Sequence, residues 1–575
     1  MKRILKELKP FRGSIAMILI FTVCNVAAEL GMPSLMSRII DVGIVNRDNG
    51  YILAQGGMML LLAVFGFAAT AATGYFSARM SSGFGRNLRS ALFHKVESFS
   101  LADVDRFGNS SLITRATNDV TQLQNFVMMF FRVVLMSPFM MIGSVFMALS
   151  SNGRLSGIIL AAMLLLILLV TAIAKTVMPL TQAMQTRLDS LNRVLREKLN
   201  GLRVIRAFNT DEHERRRFDK ANRSLSETSL KMQRIMTLLM PGMMLLLNAT
   251  TIVILWVGSG WVAAQELQVG DLVAVLQYVM HIMMSLMMMS MVVVMLPRAS
   301  TSAQRISEVL EHENSICDPH KPAEPTGRKG VVEFQDVSFS YGDSDDAVLE
   351  KISFTARPGQ TTAIIGSTGS GKTTLLNLIP RFYEASSGRV LVDGVDVRQY
   401  RQEELREKIG YVPQKAVLFS GTIAENIRFG CEGADDAEVE KAAEVAQALE
   451  FIREKGEGFQ SHIAQGGANV SGGQKQRLSI ARAVVKRPEI YLFDDSFSAL
   501  DFKTDAELRS ALARETGDAA VILVAQRVST IMNAEQILVL EAGRMVGRGT
   551  HKELLENCDV YREIVRSQLS ENEIA

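Results

Sequence analysis

The stretch Thr362-Ala363-Ile364-Ile365-Gly366-Ser367-Thr368-Gly369-Ser370-Gly371-Lys372-Thr373-Thr374-Leu375-Leu376-Asn377-Leu378-Ile379 decides how the second half of this chain folds. Its short apolar opening predicts a buried strand, and its apolar ending predicts a helix. Between them lies G-x-x-x-x-G-K-[ST]. Gly366, Gly369 and Gly371 let backbone N–H groups, with those of Ser367, Thr368 and Ser370, turn inward around a polyphosphate. The helix N-terminus at Lys372 adds a dipole that favours the anion. Lys372 is placed to reach β- and γ-phosphates, and Thr373, followed by Thr374, offers a hydroxyl to Mg2+.

Further along, Glu489-Ile490-Tyr491-Leu492-Phe493-Asp494 predicts a strand ending in an acid, which can hold Mg2+ opposite the phosphate loop. Between the two lies Asn469-Val470-Ser471-Gly472-Gly473-Gln474-Lys475-Gln476-Arg477. Its Ser-Gly-Gly-Gln turn reads either as a second anion-binding nest or as a helix N-cap by Ser471. Upstream, Pro322, Pro325 and Gly327 mark a linker, and two short strands are expected, Val331–Phe334 and Val337–Tyr341.

The first half is of another kind. The 575 residues are 48% hydrophobic, and residues 1–300 concentrate the uncharged runs and most of the 31 Met, which excludes a wholly soluble protein. Six segments meet the length of ~20 apolar residues that a membrane span needs: residues 14–35, 56–78, 133–149, 157–174, 235–258 and 272–297. Basic residues set the orientation. The connection 79–126 carries Arg79, Arg86, Arg89, Lys95, Arg106 and Arg115, and 180–235 carries thirteen Lys and Arg. The alternate connections hold Arg38, Arg47 and Arg154, with none in 259–271. The basic connections, the N-terminus with Lys2, Arg3, Lys6, Lys9 and Arg12, and the second half therefore face the cytoplasm. A cleaved signal peptide is not expected, because the first span is too long and no small-x-small site follows it. A net charge of +2 argues against nucleic-acid binding. The four cysteines are too scattered for a disulfide framework or zinc site.

Both cytoplasmic connections are too patterned for loops. Leu188, Leu191, Val194, Leu195 and Leu199 recur with helical spacing, so the spans should continue as helices beyond the membrane, turning near 102–107 and 209–211. Asn25, Glu29, Arg132, Gln277 and His281 are polar groups within or beside spans, read as interhelical bonding, with substrate contact by Glu29 or His281 as the sharper alternative. Met283, Met284, Met287, Met288 and Met291 are spaced for one helix face, suited to re-packing around apolar ligands rather than to a copper path.

The order of these pieces resembles the nucleotide-binding domain of an ATP-binding-cassette (ABC) transporter. Tyr341 matches the adenine-stacking aromatic, Gly366–Thr374 the Walker A loop, and Gln414 the Q-loop. Ser471, Gly472, Gly473 and Gln474 match the signature, Ile490–Asp494 the Walker B strand, and Asp501 the D-loop. The first half resembles the six-helix exporter membrane domain, with Arg115–Val120 and Gly201–Phe208 as its cytoplasmic landmarks. The fold expected is multidomain: a six-helix α transmembrane domain over 1–315, a linker over 316–330, and an α/β P-loop ATPase domain over 331–575. The resemblance implies ATP and Mg2+ as ligands, with Thr373, Gln414 and Asp494 around the metal.

Two positions depart from the family. The residue after the Walker B acid, usually Glu, is Asp495, and the H-loop His is Gln526. Asp stops ~1.5 Å short of Glu, and a ~1 Å misplacement can cost ~100-fold in rate. Gln cannot carry a proton at neutral pH. Gln465 also replaces a Glu usual just before the signature. ATP-binding residues and signature are retained. This pattern looks like the degenerate-site half of a bacterial heterodimeric exporter. The resemblance implies a second ABC half-transporter as partner, a plasma-membrane location among lipids, and a hydrophobic, drug-like or lipid-like substrate. The alternatives are a homodimeric lipid or peptide flippase and an ATP-gated regulatory membrane protein.

Overall fold

The computed structural model describes residues 4, 6–151, 153–323, 329–342 and 346–569, with side chains for all of these except 153, 154, 156 and 290–294. Lys2, Arg3, Pro325, Gly327 and the side chains of Arg154 and Met291 lie outside the described residues. The chain divides into two compact units, Met1–Glu97 with Asn109–His312, and Ser98–Gly108 with Glu313–Ala575.

Among the described residues of the first unit six helical stretches are long and apolar enough to cross a membrane: Lys9–Ile44, Asn49–Glu97, Asn109–Ser151, Gly157–Asn200, Asp211–Ala263 and Val269–Met289. Helix α1 (Arg12–Arg38) belongs to the first, and α2 (Asn49–Glu97) is the second. At 1.5 Å per residue α2 is about 70 Å long, far more than the ~30 Å of a bilayer core. A helical continuation beyond the span is therefore present here, and again in the 48-residue helix Gly153–Asn200 that carries the periodic leucines. Leu199 departs from that pattern, standing 71% exposed. The connection at 102–107 is not a bare turn. It forms helix α3 (Leu101–Phe107), started by a capping box between Ser100 and Asp103, and it belongs to the second unit. At the other end α4 (Gly153–Asn200) is followed by the short α5 (Leu202–Ala207), and Asn209 then turns the chain at φ +51°.

Polar groups join these helices. Asn25 Oδ1 accepts from Thr70 Oγ1 at 2.9 Å, as an interhelical bond. Helix α6 (Val269–Glu311) meets the first span through Tyr278, whose hydroxyl donates to Leu30 O at 3.2 Å. It meets it again where Ser37 Oγ lies 3.1 Å from both Asp41 Oδ2 and Asp271 Oδ1. Glu29 and Gln277 are half-buried, and Arg132 is exposed on a π-helical turn, Phe130–Val134, inside the third span. The described methionines of α6, Met283, Met284, Met287 and Met288, fall within one arc of about 140°, but burial differs along it. Met283 is buried against the membrane core while Met284 is 48% exposed, because one residue turns the helix by about 100°.

Among the described residues the second unit carries two larger sheets and a two-stranded ribbon of Gly421–Thr422 against His462–Ile463. Strand β1 (Val332–Phe339) pairs antiparallel with β2 (Leu349–Ala356) and with β4 (Ser387–Val392), which continues to β5 (Val395–Asp396). The two strands expected over 331–341 are one, bulged where Asp336 takes φ +46° and its N–H donates to Ser353 Oγ. The six-stranded sheet contains β3 (Thr361–Gly366), β6 (Ile409–Val412), β7 (Ile490–Asp494), β8 (Ala520–Val524), β9 (Gln536–Glu541) and β10 (Arg544–Gly549), in the order β10-β9-β3-β8-β7-β6. All neighbours are parallel except β9 and β10. All of β7 is buried, as are the four central residues of β3. This is why their sequences are unbroken apolar runs rather than alternating ones. The carboxyl ends of β3 and β7 come out side by side around β8, where ligands of such sheets bind.

Candidate nucleotide site

Strand β3 ends at Gly366, and α7 (Lys372–Leu378) begins six residues on. Gly371 closes the loop at φ +94°, and a Cβ there would come within 2.6 Å of Leu349 Cδ2 and 3.0 Å of Val348 O. Conformation and space both call for glycine. Ser370 is buried, its N–H turned onto Ser367 O at 3.2 Å, while Ser367, Thr368 and Gly369 are exposed. Lys372 Nζ donates to Gly366 O at 2.9 Å and Ser367 O at 2.7 Å, with Ser370 Oγ at 3.5 Å. Burial pulls the Lys372 pKa down, while Asp495 and Asp494 hold it up. A desolvated ammonium resting on loop carbonyls is poised to exchange them for phosphate oxygens.

Thr373 Oγ1 donates to Asp494 Oδ1 at 3.0 Å, so the loop and the β7 acid meet as expected. Thr374 has a different partner, the Tyr341 hydroxyl at 2.9 Å. The Tyr341 ring is 40% exposed and stands edge-on to Tyr383, centroids 5.2 Å apart. No motif marks Tyr383, which follows the loop after α7 and donates to Asp105 Oδ2 on α3 at 2.7 Å. Gln414 is bonded to Asp495 Oδ2, at 3.2 Å from its Nε2, rather than to Thr373 or Asp494.

Asp495 takes φ +48°, a conformation that non-glycine residues adopt at a cost and that clusters at functional sites. Its N–H donates to Val524 O at 3.0 Å, and Ser498 Oγ donates back to its carbonyl at 2.9 Å. Gln526 Nε2 donates to the same Oδ2 at 2.7 Å. One carboxylate oxygen thus accepts two amide donors. Burial still pushes Asp495 above the usual carboxylate range, against the bonds from Gln414 and Ser498, the Lys372 charge and the Gln526 bond. Burial also raises Asp494, and the neighbouring Asp495 charge adds to it.

This has a consequence for stability. A folded pKa above the unfolded one contributes to stability below the unfolded value, and the contribution is lost as pH rises through the folded value. At neutral pH the ionised Asp495 therefore costs stability. Asp495→Asn, whose amide oxygen can still accept from both glutamines, should melt at a higher temperature without nucleotide at about pH 7.5, and the gain should shrink toward zero at about pH 4. Coincident melts of variant and wild type at the higher pH would contradict this.

Ser471 is the N-cap of α8 (Gly472–Val485), with a full capping box to Gln474. The Ser-Gly-Gly-Gln turn is thus a cap within its own chain. Gly472 has open space where a Cβ would stand, and Gly473 has Ala499 O at 3.3 Å. Asp501 is likewise an N-cap, of α9 (Phe502–Glu515), accepting from Thr504 N at 3.0 Å.

The comparisons agree along the whole chain. The family model "ABC transporter transmembrane region" matches residues 15–286, and "ABC transporter" matches 349–498. An uncharacterized ABC transporter ATP-binding protein of Mycobacterium tuberculosis is 42% identical over 98% of this chain and 97% of its own. An ATP-dependent lipid A-core flippase of Aromatoleum aromaticum is 32% identical over 99% and 96%. A bacterial Atm1-family ABC exporter solved with ATP bound superposes with a TM-score of 0.82, at 26% identity, over 97% of this chain and all of that one. With its phosphate loop and β7 acid joined on one sheet and a run of membrane spans ahead of them, the chain belongs to the ABC transporters, as a multi-pass exporter half-transporter with an ATP-binding ATPase domain.

Proposed function

We propose that this chain is one half of a heterodimeric exporter of amphipathic, drug-like or lipid-like compounds. Its own site binds ATP with Mg2+ and hydrolyses it weakly, and its Ser471–Gln474 turn completes the partner's site. The observation that carries this reading is Asp495. The carboxylate that should orient the attacking water is a methylene short, and its Oδ2 is held by two amides, one of which occupies the position of a proton-carrying His. The binding residues are intact beside it. Lys372 addresses the β- and γ-phosphates, Gly366–Thr374 wraps them, and Tyr341 offers an exposed ring to the base.

The donor set at Thr373 and Asp494 fits Mg2+. A hydroxyl and a buried carboxylate oxygen already stand together, and this cation takes one or two carboxylates plus phosphate oxygens. Gln414 would join by turning its amide from Asp495. Bound there, Mg2+ neutralises phosphate charge. The lipid-like substrate class is supported by the lipid A-core flippase among the relatives. The basic connections support a cytoplasmic ATPase domain.

Affinity purification of the tagged chain from its native membrane tests the assembly. A second ABC half-transporter should copurify in equal amount. The chain alone should bind ATP but turn it over at least about tenfold more slowly than the pair, for want of a competent site. A chain that purifies only with itself and hydrolyses ATP rapidly would refute the heterodimer.

A further inference from the structure

The C-terminal helix reaches the nucleotide site. Helix α10 (Val528–Ile531) follows β8 directly after Gln526, and α11 (Asp559–Gln568) packs behind it through the fully buried Tyr561 and Val565. Tyr561 is itself fixed, its hydroxyl 2.7 Å from His551 Nδ1. At the last residue of α11 the Gln568 amide is used at both ends. Its Oε1 accepts the Val528 N–H at 2.8 Å, and its Nε2 donates to the Gln526 carbonyl at 2.8 Å. Val528 is the first residue of α10, whose N-cap Arg527 makes no side-chain cap. Gln568 therefore supplies from another helix the acceptor that a capping residue would provide. Arg527, between the two pinned residues, lies over the Phe502 ring at 5.0 Å. The turn 526–528 is held from two directions.

From that turn the Gln526 side chain reaches Asp495, its Nε2 donating to Oδ2 at 2.7 Å. Asp495 directly follows Asp494, whose Oδ1 accepts from Thr373 Oγ1 at 3.0 Å, next to Lys372 at the start of α7. The Gln526 amide thus stands at the end of the site where the lysine meets the outer phosphates. We propose that Gln568 is a positioning residue for this site: by clamping both ends of the 526–528 turn it sets where Gln526 stands against Asp495 and the terminal phosphate of a bound triphosphate. This rests on the reading of 495 and 526 as the hydrolysis positions. The side chain needed is specific. Glu loses the donor to Gln526 O, Met loses donor and acceptor, and Asn stops about 1.5 Å short.

The test is nucleotide preference in the full-length chain in lipid nanodiscs with Mg2+, using fluorescent MANT-ATP and MANT-ADP. ADP lacks the terminal phosphate, so a positioning defect weakens ATP alone, whereas general damage to the domain weakens both. Gln568→Met should lower the ATP-over-ADP preference by about tenfold, as expected for one misplaced hydrogen bond to a charged group. ADP affinity should stay within about twofold. Gln526→Ala should lower the preference similarly, and the double variant should be no worse than Gln526→Ala, because one residue acts through the other. If Gln526→Ala lowers the preference and Gln568→Met does not, or if the two effects add, the clamp is overturned while the reading of the site stands. If Gln526→Ala leaves the preference unchanged, the reading of position 526 falls and the clamp with it.

Discussion

Alanine at Ser471 should nearly silence the assembled transporter, lowering steady-state ATP turnover by about 100-fold, the usual cost of losing one donor to a developing phosphate charge. Asp495→Asn, in the same assembly, should leave turnover within about threefold, because a base that is already misplaced has little of its normal 100-fold or greater contribution to lose. The asymmetry follows from where each group works. Ser471 caps α8 in its own chain, but on the heterodimeric reading its hydroxyl and the N–H groups behind it face the partner's nucleotide. Asp495 faces this chain's own nucleotide, with its Oδ2 occupied by Gln414 and Gln526. Ser471→Ala also removes a helix cap, worth about 1 kcal/mol. Gly472→Ala separates the two effects. A Cβ there meets nothing within 4 Å in this chain, so it should cost no stability and yet obstruct a partner's phosphates. The decisive measurement is ATPase of the reconstituted pair carrying Asp495→Asn. A loss as deep as that from Ser471→Ala would mean that both sites fire, and the asymmetric reading would be wrong.

The parts legible in the sequence were those set by local pattern. Six spans show in hydropathy alone, and the phosphate loop shows because Gly371 and Lys372 must stand next to each other in the chain to work. Tertiary choices were not legible. The bond from Gln414 to Asp495 could not be read in advance, because it joins residues far apart along the chain. Burial differs along the methionine stripe of α6 because it depends on which neighbours a helix meets, and spacing alone does not specify them. The bulge at Asp336 hid one strand as two, since a single residue in a left-handed conformation breaks the alternation that reveals strands. Gln568 had no signal at all. Its role depends on the last helix folding back onto a turn that lies 42 residues earlier.

A single methyl group at Gly366 should do more damage than any other change in the phosphate loop. The Cβ would lie 2.1 Å from Leu540 O, 3.1 Å from Leu540 C and 2.8 Å from Ser370 Oγ. Gly366 is the residue that β3 sets opposite Leu540 in the parallel ladder with β9, so the obstacle is backbone on a central strand pair and cannot swing away. Relief requires the strands to part by more than about 1 Å. Overpacking of this kind costs about 1–3 kcal/mol, and each ladder bond lost adds about 1 kcal/mol. A total of roughly 3–5 kcal/mol should lower the melting temperature of the ATPase unit by roughly 10 °C, at about 2–4 °C per kcal/mol. Parting β3 from β9 also moves the carbonyl of Gly366, on which Lys372 rests, so ATP binding should fall below detection. Gly369→Ala is the control. Unlike Gly366 it sits at positive φ, +82°, but its Cβ would meet nothing within 4 Å. It should cost only the left-handed penalty of about 1–2 kcal/mol and retain measurable ATP affinity. Equal melting temperatures and equal ATP affinities for the two variants would show that the phosphate loop is not anchored through the β3–β9 ladder. The position of Lys372 would then have to be set from the α7 side alone.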